Sequence, residues 1–84
     1  MYYYIVYSSI TFATGIKNKF RYDKEQITVM HTPSKISGAS CSYSLKVNNF
    51  EKAVEIIKAS EEYGVQIKGL YKKTNNDNFE EITY

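Results

Sequence analysis

The order in which strand-like and helix-like segments follow one another constrains this chain most. Residues 2–7 (YYYIVY) combine aromatic and β-branched side chains, which is typical of a β-strand. Residues 26–31, 41–47 and 65–72 predict three further strands. Helical periodicity separates the first strand from the second and the third from the fourth. The sequence therefore predicts the order β-α-β-β-α-β.

Each predicted helix has an apolar stripe and a recognisable start. The stripe of the first helix, which follows a Ser8-Ser9 pair able to cap it, is Phe12, Ala13, Ile16 and Phe20. We expect this helix to end near residues 22–24. Asn48 is the expected cap of the second helix, with Glu51 three residues later in a capping-box-like pattern. Gly64 stands where a glycine commonly follows the end of a helix.

The third predicted strand, residues 41–47 (CSYSLKV), alternates between apolar and polar side chains. Such alternation is typical of a strand with one buried face and one solvated face. Together with the element order, it predicts a ferredoxin-like α+β fold: a four-stranded antiparallel sheet in the order 4-1-3-2, with both helices on one face. We expect residues 1–73 to form this domain. Residues 74–84 are expected to form a polar turn and a C-terminal tail or short extra strand.

Length and composition argue against several classes of protein. A chain of 84 residues forms one domain with a small core. Its 11 Lys and Arg residues are nearly balanced by 9 Asp and Glu, and no basic cluster stands out in the sequence, so no nucleic-acid partner is expected. One Cys and one His favour neither a disulfide framework nor a zinc cluster, and we expect no metal or cofactor. Without a membrane-length apolar run or a signal-peptide pattern, the expected compartment is the cytoplasm, with no membrane partner.

Cys41, the only cysteine, is the strongest chemical clue. In the predicted fold, the third strand begins where the first two strands end and the first helix starts. Cys41 is therefore expected near Ser9 and His31. A helix N-terminus favours a thiolate, and His31 could accept a proton or act as a cation that lowers the pKa of the thiol. The segment Ser37-Gly38-Ala39-Ser40 could add backbone N–H donors.

A purely structural role for Cys41 fits the same residues equally well. Free cysteine is often a small buried hydrophobe. Cys41 also has the same parity as Leu45 in the predicted strand, so its side chain could point into the core. A lone histidine at a strand end, such as His31, is usually a surface residue. The residues alone leave both interpretations open.

Three segments carry a family resemblance: IVYSS near the start, TPSKISGASC followed by SLKV in the middle, and GVQIKGLY near the end. With them, residues 3–71 resemble the selenium/sulfur carrier protein-like family of small bacterial domains. The resemblance implies that Cys41 holds sulfur or selenium as a persulfide or selenosulfide for delivery to a partner. It also implies donor and acceptor proteins as partners, and a carrier or binding protein rather than an enzyme. Ser42 departs from the family pattern, in which a glycine usually follows the cysteine.

Two other classes of function compete with a carrier. The first is a non-catalytic interaction or ligand-sensing module, and the nine tyrosines favour a homo-oligomer formed through a tyrosine-rich, uncovered sheet face. The second is RNA binding, because RNA-recognition modules share the same element order. Those modules stack bases on aromatic side chains of the first and third strands. Here Ser42, Ser44 and Lys46 are expected on that face of the third strand, which argues against RNA binding.

Overall fold

A computed structural model of the chain describes residues 1–22, 26–36, 42–74 and 78–83. Its elements, in chain order, are β1 (Tyr3–Tyr7), α1 (Ile10–Asn18), β2 (Thr28–His31), β3 (Tyr43–Val47), α2 (Phe50–Glu62), β4 (Ile67–Lys73) and β5 (Phe79–Glu81). The strands form one sheet in the order β2-β3-β1-β4-β5. All neighbouring strands are antiparallel. The first six elements follow the predicted order, and this α+β arrangement is compatible with a ferredoxin-like fold.

The predicted four-stranded sheet is wrong by one strand, because β5 extends it beyond β4. In the β4–β5 pair, Lys72 lies opposite Glu80. Phe79 packs edge-on against the ring of Tyr4, with ring centroids 5.2 Å apart. Ile82, just after β5, packs against the main core. These two apolar contacts hold the C-terminal segment against the sheet.

Both helices cover the same face of the sheet and share one core with it. The sheet contributes the buried side chains of Ile5, Tyr7, Leu45, Val47 and Leu70. The helices contribute those of Ala13, Ile16, Ala53, Ile56 and Ile57. The odd-numbered residues of β3 therefore face the helices, as the alternating pattern predicts.

The opposite face of the sheet is partly covered, whereas the sequence predicts an open face. Ile36, in the connection after β2, is only 2% exposed and packs in one cluster with Tyr4 and Val6 of β1. Tyr4 is only 3% exposed within a single chain. Ser44, predicted to be solvated, is also fully buried on this face. The tyrosine patch expected to drive self-association is therefore already covered at Tyr4.

Side-chain caps define where both helices begin. Ser9 Oγ accepts a hydrogen bond from the backbone N–H of Phe12 at 3.3 Å. Asn49 Oδ1 accepts one from the backbone N–H of Lys52 at 3.1 Å. The predicted cap at Asn48 is therefore wrong by one residue. Asn49 has the extended backbone that a capping residue needs, and its side chain reaches the free N–H three residues later.

The helices end differently from each other. α1 ends at Asn18, before the expected residues 22–24, and residues 19–22 continue as turns. α2 ends at Glu62, and Gly64 has a φ of 71°, a left-handed conformation that glycine adopts without steric cost. The glycine signal is thereby confirmed. Neither described helix is long and apolar enough to cross a membrane.

Candidate functional site

Two strand ends, one strand start and one helix start meet at the same edge of the sheet. Tyr43, the first residue of β3, pairs with Tyr7 at the end of β1 and with His31 at the end of β2. Ser9, the cap of α1, follows β1 by two residues. We call this end of the strands, which contains Tyr7, Ser9, His31, Ser42 and Tyr43, the Ser42 edge; Ser42 is the residue that follows Cys41 in the sequence. Its described residues come together as the predicted topology requires.

Buried hydrogen bonds fix the chain at the Ser42 edge. The backbone N–H of Thr32 donates to the carbonyl oxygen of Ser42 at 3.1 Å. The hydroxyls of Thr32 and Ser44 lie 2.7 Å apart in a buried contact. Ser42 itself is only 2% exposed. The residue that follows Cys41 in the sequence is therefore buried and hydrogen-bonded to the chain just after β2.

His31 stacks against Tyr43 at this edge. The two ring centroids are 4.6 Å apart, with the ring planes inclined by 34°. Tyr43 is half-buried and packs against the main core, whereas His31 is exposed. The imidazole is therefore accessible to solvent, while the stack restricts its orientation.

Ser9 brings the N-terminus of α1 to the same edge. Besides its side-chain bond to Phe12, its backbone carbonyl accepts a hydrogen bond from the N–H of Ala13 at 3.2 Å. The first turn of α1 contains no acidic residue. The partial positive charge at this helix end is therefore not offset by a carboxylate within the first turn.

The remaining predicted site residues, Ser37, Gly38, Ser40 and Cys41, lie outside the described residues. The described residues on either side of this segment are Ile36 and Ser42, which are both buried. The structure thus brings two of the predicted site residues, Ser9 and His31, to the Ser42 edge. The roles assigned to all six residues stay predictions.

A buried hydroxyl pair in the core was not identified from the sequence. The hydroxyl of Tyr7 lies 2.7 Å from Oγ of Ser60. Burial raises the pKa of Tyr7 to about 12, although the Ser60 hydroxyl acts in the opposite direction, because it can turn to donate to the ionised tyrosine oxygen. Tyr7 therefore stays protonated at neutral pH. The available signal was the position of Ser60 on the same helical face as Ile56 and Ile57, which lie four and three residues earlier.

Across residues 1–22, 26–36, 42–74 and 78–83, no group of three or more His, Cys, Asp or Glu side chains could hold a metal ion. The described side chains at the Ser42 edge supply hydroxyl and imidazole groups next to a helix start. The protein is thus a small α+β domain with a single cysteine. The residue that follows this cysteine in the sequence, Ser42, is buried and hydrogen-bonded just before β3.

Comparison with protein families identifies this domain more closely. Residues 2–72 match the family described as Putative Se/S carrier protein-like. This match spans most of the chain, so the chain belongs to that family, as the sequence resemblance predicts. No curated protein and no solved structure matches the chain.

Proposed function

We propose that this protein carries sulfur or selenium on Cys41 and delivers it to a partner protein. The observation that carries the proposal is the family match over residues 2–72, which includes the only cysteine of the chain. Holding such an atom as a persulfide or selenosulfide requires a thiolate. A reducing cytoplasm, the compartment we propose, would keep a single cysteine available as a free thiol.

The described surroundings of the Ser42 edge support a reactive thiol at position 41. The N-terminus of α1, capped by Ser9, contributes partial positive charge, which favours a thiolate over a thiol. His31 contributes an exposed imidazole at the same edge. Ser42 adds a buried, hydrogen-bonded anchor next to Cys41 in sequence.

The proposed loading step is an exchange between sulfur atoms. The Cys41 thiolate attacks the terminal sulfur of a donor persulfide and forms a new S–S bond. The S–S bond of the donor breaks, and the donor cysteine leaves as a thiolate. Delivery repeats the exchange with a thiolate of the acceptor. Electrons balance in each step without an added oxidant or reductant, and selenium follows the same pattern as the terminal atom of a selenosulfide.

Exposed apolar side chains favour a second candidate function, a protein-interaction module in which Cys41 is structural. Ile10 and Phe12, in the first turn of α1, are 49% and 43% exposed. A contiguous exposed apolar patch often marks a protein contact, and in this proposal both side chains belong to such a patch at the start of α1. The corresponding proposal is a homo-oligomer formed through this helix, which sedimentation at micromolar concentration would detect.

Thiol reactivity separates the two candidates. The carrier proposal expects iodoacetamide to alkylate native Cys41 at neutral pH faster than it alkylates glutathione, because an activated thiol is already a thiolate. The matched variant His31→Gln tests whether the imidazole contributes to this rate. A thiol that reacts only after unfolding in urea would favour the interaction module instead.

A further inference from the structure

A cleft of about 170 Å³ lies at the end of the sheet remote from the Ser42 edge. It is lined by Tyr2, Gln26, Thr28, Lys46 and Asn48. Lys46 is four residues beyond Ser42 along β3, which corresponds to about 13 Å. The cleft is therefore distinct from the proposed sulfur site.

Strand register explains where the cleft forms. Lys46 lies opposite Thr28 of β2 on one side and opposite Tyr4 of β1 on the other. Tyr4 and Ile36 belong to the cluster on the sheet face opposite the helices, so the cleft opens on that face. Tyr4 is buried in that cluster, whereas Thr28 is exposed. The cleft thus occupies the part of this face that the Ile36 cluster leaves open.

Among the described residues, the lining contains one positively charged side chain, that of Lys46, and no carboxylate. Lys46 Nζ lies 4.1 Å from the centroid of the Tyr2 ring, a cation–π contact that orients the ammonium group. Lys46 is half-buried, and no ion pair joins it to a carboxylate among the described residues. Its charge is therefore available to a ligand in the cleft.

Neutral hydrogen-bond donors line the same cleft. Gln26 and Asn48 have side-chain amide N–H groups, and Thr28 has a hydroxyl. A cation together with such donors suits an anionic oxygen group, because hydrogen bonds to charged acceptors are the stronger ones. We propose that the cleft binds a small ligand bearing a phosphate, sulfate or carboxylate group, with Lys46 as its charge partner. A volume of about 170 Å³ accommodates the anionic group, and because the cleft is open to solvent, the rest of the ligand can extend beyond it.

The test is a chemical-shift titration of the isotope-labelled full chain with inorganic phosphate and with phenyl phosphate. Saturable shifts are expected at Thr28, Lys46 and Asn48. Lys46→Gln should weaken phenyl phosphate binding about tenfold or more, whereas Lys46→Arg should retain it, because the charge is preserved. Lys58→Gln is the matched control, since Lys58 is an exposed lysine on α2, which packs on the other face of the sheet.

Three results would overturn the proposal. The first is shifts that spread evenly over surface lysines, which indicate only a diffuse ion atmosphere. The second is unchanged binding by Lys46→Gln with its native spectrum preserved. The third is tighter binding of a single-stranded oligonucleotide than of phenyl phosphate, which would identify nucleic acid as the ligand. Cys41→Ser should bind phenyl phosphate normally, so this test is independent of the carrier proposal.

Discussion

The hydroxyl of Tyr7, at the end of β1, lies 2.7 Å from Oγ of Ser60 in α2, inside the core. Ser60 Oγ in turn donates to the backbone carbonyl of Ile56 at 2.9 Å. Because a serine hydroxyl has only one proton, the Tyr7 hydroxyl must be the donor to Ser60. This short chain of hydrogen bonds connects the central strand to the second helix.

The direction of these bonds predicts unequal effects of two deletions. Ser60→Ala leaves the Tyr7 hydroxyl buried without its acceptor and should cost about 1–3 kcal/mol of the free energy of unfolding. Tyr7→Phe removes the donor, while Ser60 keeps its bond to Ile56, and should cost about 0.5–1.5 kcal/mol. Urea denaturation measures both values. The double variant should be less destabilised than the sum of the single variants. A larger loss for Tyr7→Phe than for Ser60→Ala would contradict the assigned direction.

The raised pKa of Tyr7 predicts a loss of stability in alkali. Its pKa is about 12 in the folded protein, whereas an unfolded tyrosine has a pKa of about 10. Between these values the folded chain binds the proton more tightly, so stability falls as pH rises. The contribution of the Tyr7 hydroxyl to the free energy of unfolding is complete below the pKa of the unfolded state. It is lost as the pH rises through the pKa of the folded state.

Comparison with Tyr7→Phe isolates this effect from other titrating groups. Between these two pKa values, the free energy of unfolding of the native sequence should fall more steeply than that of the variant, by roughly 1.4 kcal/mol per pH unit. Urea denaturation at several pH values gives both slopes. Equal slopes would show that Tyr7 does not titrate differently in the folded state.

The burial of Ile36 predicts that this residue of the β2–β3 connection contributes to stability as a core residue does. Ile36→Ala should cost about 2–5 kcal/mol, because it leaves a cavity over Tyr4 and Val6. Ile10→Ala is the matched control at a position that is 49% exposed, and it should change stability by no more than about 0.5 kcal/mol. Similar effects of the two substitutions in thermal or urea unfolding would contradict the packing of Ile36.

The parts of the fold that the sequence predicts correctly are those with a local signal. Alternation identifies the face of β3 that carries Leu45, and Gly64 signals the end of α2. β5 was not separable from a tail, because its three residues, FEE, have no clear strand pattern. Ile36 was not recognised because one apolar residue in a polar loop has no periodicity.

The site was predictable only as far as topology determines it. The order of elements brings Ser9 and His31 to the same end of the strands, because antiparallel pairing of β1 and β2 with β3 fixes which strand ends lie side by side. The cleft at Lys46 depends on the register between separate strands and on the part of the face that the Ile36 cluster leaves uncovered. Neither property can be read from neighbouring residues in the sequence.

The most direct test of the carrier proposal is intact mass spectrometry after incubation with a persulfide donor such as glutathione persulfide. The native chain should gain the mass of one sulfur atom, and a reductant should remove it. Cys41→Ser should gain nothing while keeping its native spectrum and its stability.

The opposite pattern would indicate a structural cysteine. In that case the native protein would acquire no sulfur, although the thiol would react normally in denaturant. Cys41→Ser would then cost about 1–3 kcal/mol, because it would bury a hydroxyl in the core. A reversible single-sulfur adduct on native Cys41 is the result that the account predicts, and its absence from a native protein whose thiol reacts normally in urea would contradict it.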